Sequence, residues 1–330
     1  MSPAVSVIAT VLNEADSLDA LLSGLAAQTR PPDEVIIVDG GSSDGTWERL
    51  ANASQHGALP LTALSQPGAN ISQGRNAAIA AARGPIIAVA DAGVRLEPDW
   101  LERLVAPFEG QDPPDVVAGF FQADPRSTFE LALGAITLPR LDEIDPATFH
   151  PSSRSLAFRR VAWEALGGYP EWLDYCEDLL FDFALRDAGY RFAFEPRALV
   201  HFRPRRSLRA FAKQYYRYAR GDGKADFWRY RHLLRYATYA FWLAALVLAL
   251  VADPLWWLAV ALGLAALSAG PVRRLLPALR GRPRAQQVAA LAWAPIVRIT
   301  GDLAKMLGYP VGTLWRWRHA PRGPWPKRQW

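Results

Sequence analysis

The first 100 residues alternate between short apolar runs and amphipathic segments. Residues 5–10 and 34–39 are apolar enough for buried strands, and leucines recur at helical spacing between them. A strand, a helix and a strand within about 35 residues predict a parallel βαβ unit. In such sheets, ligands bind beyond the carboxyl ends of the strands. The polar residues at those ends, Asn13, Glu14 and Asp39, are therefore candidates for a binding site.

A glycine-rich turn follows the second predicted strand. Residues 40–46 read Gly-Gly-Ser-Ser-Asp-Gly-Thr and lack the Gly-Lys-Ser/Thr of a phosphate-binding P-loop. The carboxylates of Asp39 and Asp44 suit a ribose hydroxyl or the imide nitrogen of a pyrimidine better than a phosphate. The same turn is also compatible with a purely structural role.

Two further segments place charged residues beside a helix and a strand. Residues 68–78 lead into a helix with Arg75 near its start, where the helix N-terminus favours anions, although a surface position is equally compatible. An apolar strand at 85–90 ends in Asp91-Ala92-Gly93. Residues 124–150 are less regular and contain several prolines, so we expect a loop region there.

An acidic pair, Glu177-Asp178, follows Gly167-Gly168-Tyr169-Pro170 and precedes a run with apolar residues at helical spacing. The pattern predicts a packed helix that begins at the pair, where the helix dipole favours negative charge. A carboxylate on such a rigid support can act as a general base. A capped, solvent-exposed helix start is the alternative interpretation.

The charge of the chain is unevenly distributed. Residues 1–200 contain 14 Arg and 28 Asp or Glu, whereas residues 201–330 contain 23 Lys or Arg and 4 Asp. A basic half favours either nucleic acid or an anionic membrane surface. The single cysteine, Cys176, excludes an internal disulfide and suits a reducing compartment. Because no basic, apolar leader begins the chain, we expect the N-terminal half to remain in the cytoplasm.

Two uncharged apolar runs in the basic half, residues 236–252 and 255–270, are separated by Asp253-Pro254. Each is slightly shorter than the roughly 20 residues that span a bilayer, and together they predict a membrane hairpin at 236–270. Arginines flank both outer ends, so the positive-inside rule places these ends on the cytoplasmic side of the inner membrane. A third stretch, 286–308, carries charges and is expected to be interfacial or partly inserted.

Basic and aromatic residues alternate in two further segments, residues 204–223 and the tail beyond residue 314. The first is compatible with an amphipathic helix on anionic lipid, and the second with a membrane–water interface. Anionic membrane lipids are therefore expected partners. Nucleic acid is not, because no other segment resembles a nucleic-acid-binding module.

The order of these motifs resembles the family 2 glycosyltransferases of GT-A fold. Strand–Asn-Glu, strand–Asp-Gly-Gly-Ser-Ser-Asp-Gly-Thr, Gly-Arg-Asn, strand–Asp-Ala-Gly, Gly-Gly-Tyr-Pro and Glu-Asp follow one another between residues 4 and 220. The resemblance implies an α/β fold: a GT-A nucleotide-sugar-binding domain at 1–225, with a mostly parallel sheet flanked by helices. Membrane-associated helices are expected to occupy residues 226–330.

The resemblance also implies roles for individual residues. Asp178 matches the acid that deprotonates the acceptor hydroxyl, and Glu177 is its usual neighbour. Arg75 matches a position near the donor's phosphates, and Asp91 faces the donor sugar and a divalent metal. Gln214, Arg217 and Tyr218 resemble the Gln-x-x-Arg-Trp motif beside the acceptor and the diphosphate, with Tyr in place of Trp. The implied donor-binding set is Thr10, Asn13, Glu14, Asp39, Asp44, Arg75, Asp91 and Gly93.

The metal motif departs from the Asp-x-Asp pattern of the family. Gly93 stands where a second carboxylate is expected, so Asp91 is left as the metal ligand, with His201 as a second candidate. Because Mg²⁺ takes few protein ligands and retains waters, Asp91 can still hold Mg²⁺ or Mn²⁺ through the donor's diphosphate.

The expected function is transfer of a sugar from a nucleotide-sugar donor to a lipid-linked or amphiphilic acceptor by a membrane-anchored, inverting enzyme. Exopolysaccharide or cell-envelope glycan synthesis is the expected setting. Two alternatives remain open. One is transfer to a free lipid such as a carotenoid, a glycerolipid or a polyprenyl phosphate. The other is a catalytically inactive protein that binds nucleotide sugars.

Overall fold

The computed structural model describes residues 3–319, which form two compact units. The first comprises residues 3–122 and 140–202, and the second comprises residues 123–139 and 203–319. The basic aromatic tail beyond residue 319 lies outside the described residues.

Strands and helices alternate along the first two thirds of the chain, and long helices follow. Short 3₁₀ turns occur at Ala106–Glu109, Leu141–Glu143 and Leu276–Leu279. The elements are β1 (Val5–Val11), α1 (Leu18–Ala26), β2 (Glu34–Asp39), α2 (Thr46–His56), β3 (Leu61–Ser65), α3 (Ile71–Ala81), β4 (Ile86–Val89), β5 (Val94–Leu96), α4 (Trp100–Val105), β6 (Val116–Ala123), α5 (Thr128–Thr137), β7 (Leu156–Arg159), α6 (Arg160–Leu166), α7 (Glu177–Asp187), β8 (Phe192–Phe202), α8 (Leu208–Ala225), α9 (Arg229–Val251), α10 (Trp256–Leu275) and α11 (Arg284–His319).

An eight-stranded sheet of order β3-β2-β1-β4-β7-β6-β8-β5 forms the centre of the first unit. The strands from β3 to β4 are parallel, as the βαβ pattern predicts, with Ile8 paired to Ile36 on one side and to Val89 on the other. β7 is antiparallel to both β4 and β6, and β5 is antiparallel to β8. The α/β prediction is confirmed; the sheet is mixed, whereas the resemblance implied a mostly parallel one.

Helices α3, α6 and α7 bury apolar residues against this sheet. Phe158 of β7, Tyr169 and Phe181 of α7 are fully buried, and the last two rings stack with their centroids 4.2 Å apart. The packed helix predicted after the acidic pair is therefore present, and its buried face supports the residues at its start.

The second unit is helical. Part of the loop region predicted at 124–150 is instead the helix α5, whose residues pack with Phe211 of α8 and with Ala290 and Ala294 of α11. By length and composition, α9 and the segment Trp256–Leu279 could each cross a membrane, and the long helix α11 does not meet the same criterion. Apolar side chains such as Phe241, Leu250 and Leu262 are more than 60% exposed on the hairpin.

Candidate active site

The loops that follow β1 and β2 are hydrogen-bonded to each other at the carboxyl edge of the parallel strands. The backbone N–H of Asn13 donates to Ser42 Oγ at 2.8 Å, and Asn13 Oδ1 accepts from the Ser43 N–H at 2.9 Å. The N–H of Ala15 donates to Asp44 Oδ2 at 3.1 Å. Asn13 adopts a left-handed backbone (φ 56°) at this junction. The structure thus brings together Asn13, Glu14, Asp39 and Asp44, four of the predicted donor-binding residues.

Two of the carboxylates in this group also hold their own turn in place. Asp39 is 1% exposed, and its Oδ2 accepts the N–H groups of Gly41 and Ser42 at 2.9 and 3.0 Å. A hydrogen bond from the Thr46 hydroxyl lowers the pKa of the exposed Asp44 carboxyl below its ordinary value. The structural role considered for this turn is therefore observed, and contact of these acids with a nucleotide stays a prediction.

Helix α3 carries Arg75 into the interior of the first unit. Asn70 caps it: its side chain accepts from the Gln73 N–H, and the Gln73 side chain accepts from the Asn70 N–H. Gly74 lies so close to β1 that a Cβ atom there would stand 2.8 Å from Thr10 Cγ2. This close approach brings the helix down onto the sheet and directs the next residue, Arg75, toward the ends of the strands.

Arg75 joins two segments that are distant in sequence. Its Nη1 donates to Glu177 Oε1 at 2.6 Å, and its Nη2 pairs with Asp91 Oδ1 at 3.3 Å. The residue is 2% exposed, and its guanidinium lies 5.4 Å from the Tyr169 ring centroid. Burial alone would lower the pKa of Arg75, but the carboxylates of Glu177 and Asp91 outweigh it and raise the pKa. Arg75 is thus a fixed cation between the end of β4 and the start of α7.

Burial also controls the acids on α7. It raises the pKa of Glu177 from 4.5 to about 7, the charge of Asp178 adds to the rise, and Arg75 only partly opposes it. One turn further, Asp182 is fully buried, and its carboxylate oxygens have no hydrogen-bond partner among the described residues. Burial holds the pKa of Asp182 well above its ordinary value. At Glu177, burial therefore opposes the ionisation that the helix start favours.

Asp178 differs from its neighbour in accessibility. Glu177 is 5% exposed, whereas Asp178 is only partly buried, and its Oδ1 accepts the backbone N–H of Leu179 at 2.8 Å. Cys176 precedes the pair with a left-handed backbone (φ 64°). Of the two acids, Asp178 is the more exposed to solvent.

Asp91 offers one carboxylate to a metal ion. Its side chain is 35% exposed, and Arg154 lies 4.0 Å from the oxygen that Arg75 does not contact. A Cβ at Gly93 would have no atom within 4 Å, so open space occupies the position of the missing carboxylate. Among residues 3–319, no group of three or more His, Cys, Asp or Glu could hold a metal. Binding of a metal at Asp91 therefore stays a prediction.

The other predicted residues lie elsewhere in the two units. His201 Nε2 is 2.7 Å from Glu97 Oε1, so this nitrogen is engaged. Gln214, Arg217 and Tyr218 lie on α8 in the second unit, where Gln214 Nε2 donates to the Tyr218 hydroxyl at 2.6 Å. The sequence does not predict a role for Arg154. Its guanidinium lies over the rings of Phe121 and Phe202. The one signal in the sequence is its position just before β7.

Comparison with known proteins assigns the family. The model for glycosyl transferase family 2 matches residues 6–166, and that for glycosyl transferase family group 2 matches residues 143–278. The succinoglycan biosynthesis protein ExoA of Rhizobium meliloti (strain 1021) is 30% identical over 66% of this chain and 68% of its own length. This chain belongs to glycosyltransferase family 2.

Two further similarities concern the sequence and the fold of this family 2 glycosyltransferase. The glycosyltransferase AglE of Haloferax volcanii is 28% identical over 67% of the chain and 73% of its own length. The structure of the mannosyltransferase PcManGT from Pyrobaculum calidifontis, solved with GDP-Man and Mn²⁺, superimposes with a TM-score of 0.58 at 24% sequence identity. The superposition covers 96% of this chain and 88% of the PcManGT chain. The GT-A fold implied by the motifs is confirmed.

Proposed function

We propose that this family 2 glycosyltransferase is a membrane-anchored, inverting enzyme that transfers a sugar from a nucleotide-sugar donor to a lipid-linked acceptor. The observation that carries the proposal is the cluster of Arg75, Glu177 and Asp91 beside the accessible Asp178. In this proposal, Asp178 meets the acceptor hydroxyl and Asp91 meets the donor. One buried cation holds both segments in place.

In the proposed reaction, Asp178 accepts the proton of the acceptor hydroxyl as its oxygen attacks the anomeric carbon of the donor sugar. The bond between that carbon and the diphosphate oxygen breaks in the same displacement, so the configuration at the anomeric carbon inverts. Glu177 stays behind Asp178, where its contact with Arg75 fixes the start of α7. Contact of Arg75 itself with the diphosphate stays a prediction. Its two Nη groups each already pair with a carboxylate.

Asp91 is the residue that would hold a divalent cation, together with oxygens of the donor's diphosphate. Such a cation would supply positive charge to the departing nucleoside diphosphate. The Mn²⁺ and GDP-Man of PcManGT support a metal-assisted donor site in this fold. His201 would bind a metal only through its other ring nitrogen or after release of Glu97.

The proposed acceptor follows from the hairpin and from the relatives. Apolar side chains on α9 and α10 are exposed in a way that suits lipid contact, and arginines lie at the outer ends of both helices. ExoA is named for succinoglycan biosynthesis, which supports a role in exopolysaccharide or cell-envelope glycan assembly. We place the active site on the cytoplasmic face of the inner membrane, where the basic ends of the hairpin would lie.

The test is turnover of UDP-, GDP- and dTDP-sugars by the detergent-purified protein with a membrane lipid extract as acceptor. Parallel reactions contain Mg²⁺, Mn²⁺ or a chelator, and NMR of the glycolipid product gives its anomeric configuration. The proposal predicts metal-dependent release of one nucleoside diphosphate and an inverted product. A retained configuration would contradict the displacement by Asp178, and donor binding without transfer would favour an inactive binding protein.

A further inference from the structure

A cleft of about 330 Å³ lies within the second unit, between α9 and α10. This volume is at the lower end of the range for small-molecule sites. Phe241, Trp242 and Leu267 give the cleft an apolar lining, and Arg298 of α11 is the charged residue at its wall. Phe241 is 66% exposed, so the cleft opens on the outside of the hairpin.

The cleft is narrow at one end and open at the other. At Gly263 a Cβ would stand 2.6 Å from Trp242 Cδ1, and the indole N–H of Trp242 donates to the Val260 carbonyl at 3.1 Å, so the two helices are in contact there. At Gly270, a Cβ would have no atom within 4 Å. Gly270 lies seven positions after Gly263 on the helix, a rise of about 10 Å. This depth suits the upper part of one hydrocarbon chain.

Arg298, at the wall of the cleft, belongs to a cluster of charged side chains. Asp302 accepts both Arg235 Nε and Arg298 Nε at 2.8 Å, so one buried carboxylate is shared by two guanidinium groups. Lys305 interacts electrostatically with these three residues and with the carboxylate of Asp222. The side chain of Arg298 is 44% exposed. Arg298 therefore brings a positive charge to the wall of the cleft.

The open end also lies at the basic end of the hairpin. Gly270 is three residues before the arginine pair 273–274 of α10, whereas the closed end lies toward the middle of the apolar helices. A lipid of the cytoplasmic leaflet presents its head group and its chain in this same order. Arginine at this depth favours a phosphate, to which it can donate two parallel hydrogen bonds.

We propose that this cleft is a specific site for an anionic phospholipid of the bilayer, with one acyl chain between α9 and α10 and the phosphate on Arg298. The inference rests on the membrane insertion given under the proposed function. It does not depend on the sugar that the enzyme transfers or on Asp178. The bound lipid would link the charged cluster around Asp302 to the composition of the membrane.

The experiment uses the full chain in nanodiscs of phosphatidylcholine with about 2% of a photoactivatable lipid that carries a diazirine in one acyl chain. The probe is phosphatidylglycerol in one series and phosphatidylcholine in the other, and peptide mass spectrometry locates the adducts. We expect adducts at Phe241, Trp242 and Leu267 with phosphatidylglycerol in large excess over phosphatidylcholine. Arg298→Gln should reduce them at least about tenfold, the effect of losing a charge-assisted hydrogen bond.

A second variant covers the possibility that Arg298→Gln disturbs the partner Asp302. Gly270→Leu puts its Cβ into open space and adds bulk at the open end, so it should reduce the adducts to a similar extent. The matched controls Arg273→Gln and Ala261→Leu, on exposed parts of α10 outside the cleft, should leave them within about threefold.

Equal labelling by both probes, or labelling unchanged in Arg298→Gln and Gly270→Leu, would overturn the proposal in favour of ordinary annular lipid. Complete competition by unlabelled undecaprenyl phosphate, with none by unlabelled phosphatidylglycerol, would show that the occupant is an acceptor lipid and would also overturn it. Adducts absent from the whole of α9 and α10 would instead contradict membrane insertion itself.

Discussion

Replacement of Glu177 by glutamine is expected to change how the stability of the first unit depends on pH. In the folded protein, burial and the charge of Asp178 raise the pKa of Glu177 from 4.5 to about 7. The folded state therefore holds a proton in a range where the unfolded chain has lost it. Stability falls as pH rises wherever the folded state binds more protons. Between about pH 4.5 and 7, the parent protein should therefore lose more stability than Glu177→Gln.

The magnitude follows from the size of the shift. A rise from 4.5 to about 7, at about 1.4 kcal/mol per pKa unit, corresponds to about 3 kcal/mol. The side chain is 7% exposed, so solvent screening does not reduce this figure much. The free energy of unfolding of Glu177→Gln minus that of the parent should thus grow by about 3 kcal/mol from pH 4.5 to 8.

The free energy of unfolding is measured at pH 5, 6.5 and 8 by titration with urea. Proteolytic cleavage within the first unit reports the fraction of protein that is unfolded. Glu48→Gln, on the exposed side of α2, is the control and should show no comparable growth. A constant difference would show that Glu177 is ionised throughout this range. That result would mean that the pair with Arg75 outweighs burial, and it would refute the reasoning.

Two further substitutions test the supports of the site. Arg75→Met should destabilise the first unit by about 3–5 kcal/mol at pH 8, because it leaves the carboxylate charges of Glu177 and Asp91 without their cation. Thermal unfolding should show a smaller loss of stability at pH 5, and an equal loss at both pH values would contradict this. Gly74→Ala should cost about 1–3 kcal/mol through overlap with Thr10, and adding Thr10→Ser should recover most of it in a double-mutant cycle, whereas strictly additive effects would contradict the close approach.

Much of the fold could be predicted because its elements have strong local patterns. The apolar runs of β1 and β2, the spacing after the acidic pair and the uncharged runs of the hairpin each predict an element that the structure contains. α5 was missed for a physical reason. Residues on nearly every side of this helix are buried, including Leu131, Ala132, Leu133 and Gly134, so no polar face marks its period.

The candidate site could be predicted as a set of residues but not as a geometry. Local sequence places Glu177 and Asp178 at the start of α7, and motif order relates them to Asp91. The pairing of Arg75 with Glu177 joins residues 102 apart, and no local pattern specifies such a partner. Nor does the sequence show that burial raises the pKa of one acid of the pair while the other stays accessible.

The role of Asp178 as the base is the central claim, and single-turnover transfer by Asp178→Asn tests it most directly. Asp187→Asn, which changes the same side chain at the exposed far end of α7, is the matched control. Loss of a general base should reduce the rate of sugar transfer by about 10²–10⁴, while the affinity for the donor and the fold are retained. Transfer by Asp178→Asn within about threefold of the parent, with Asp187→Asn unchanged, would contradict the account.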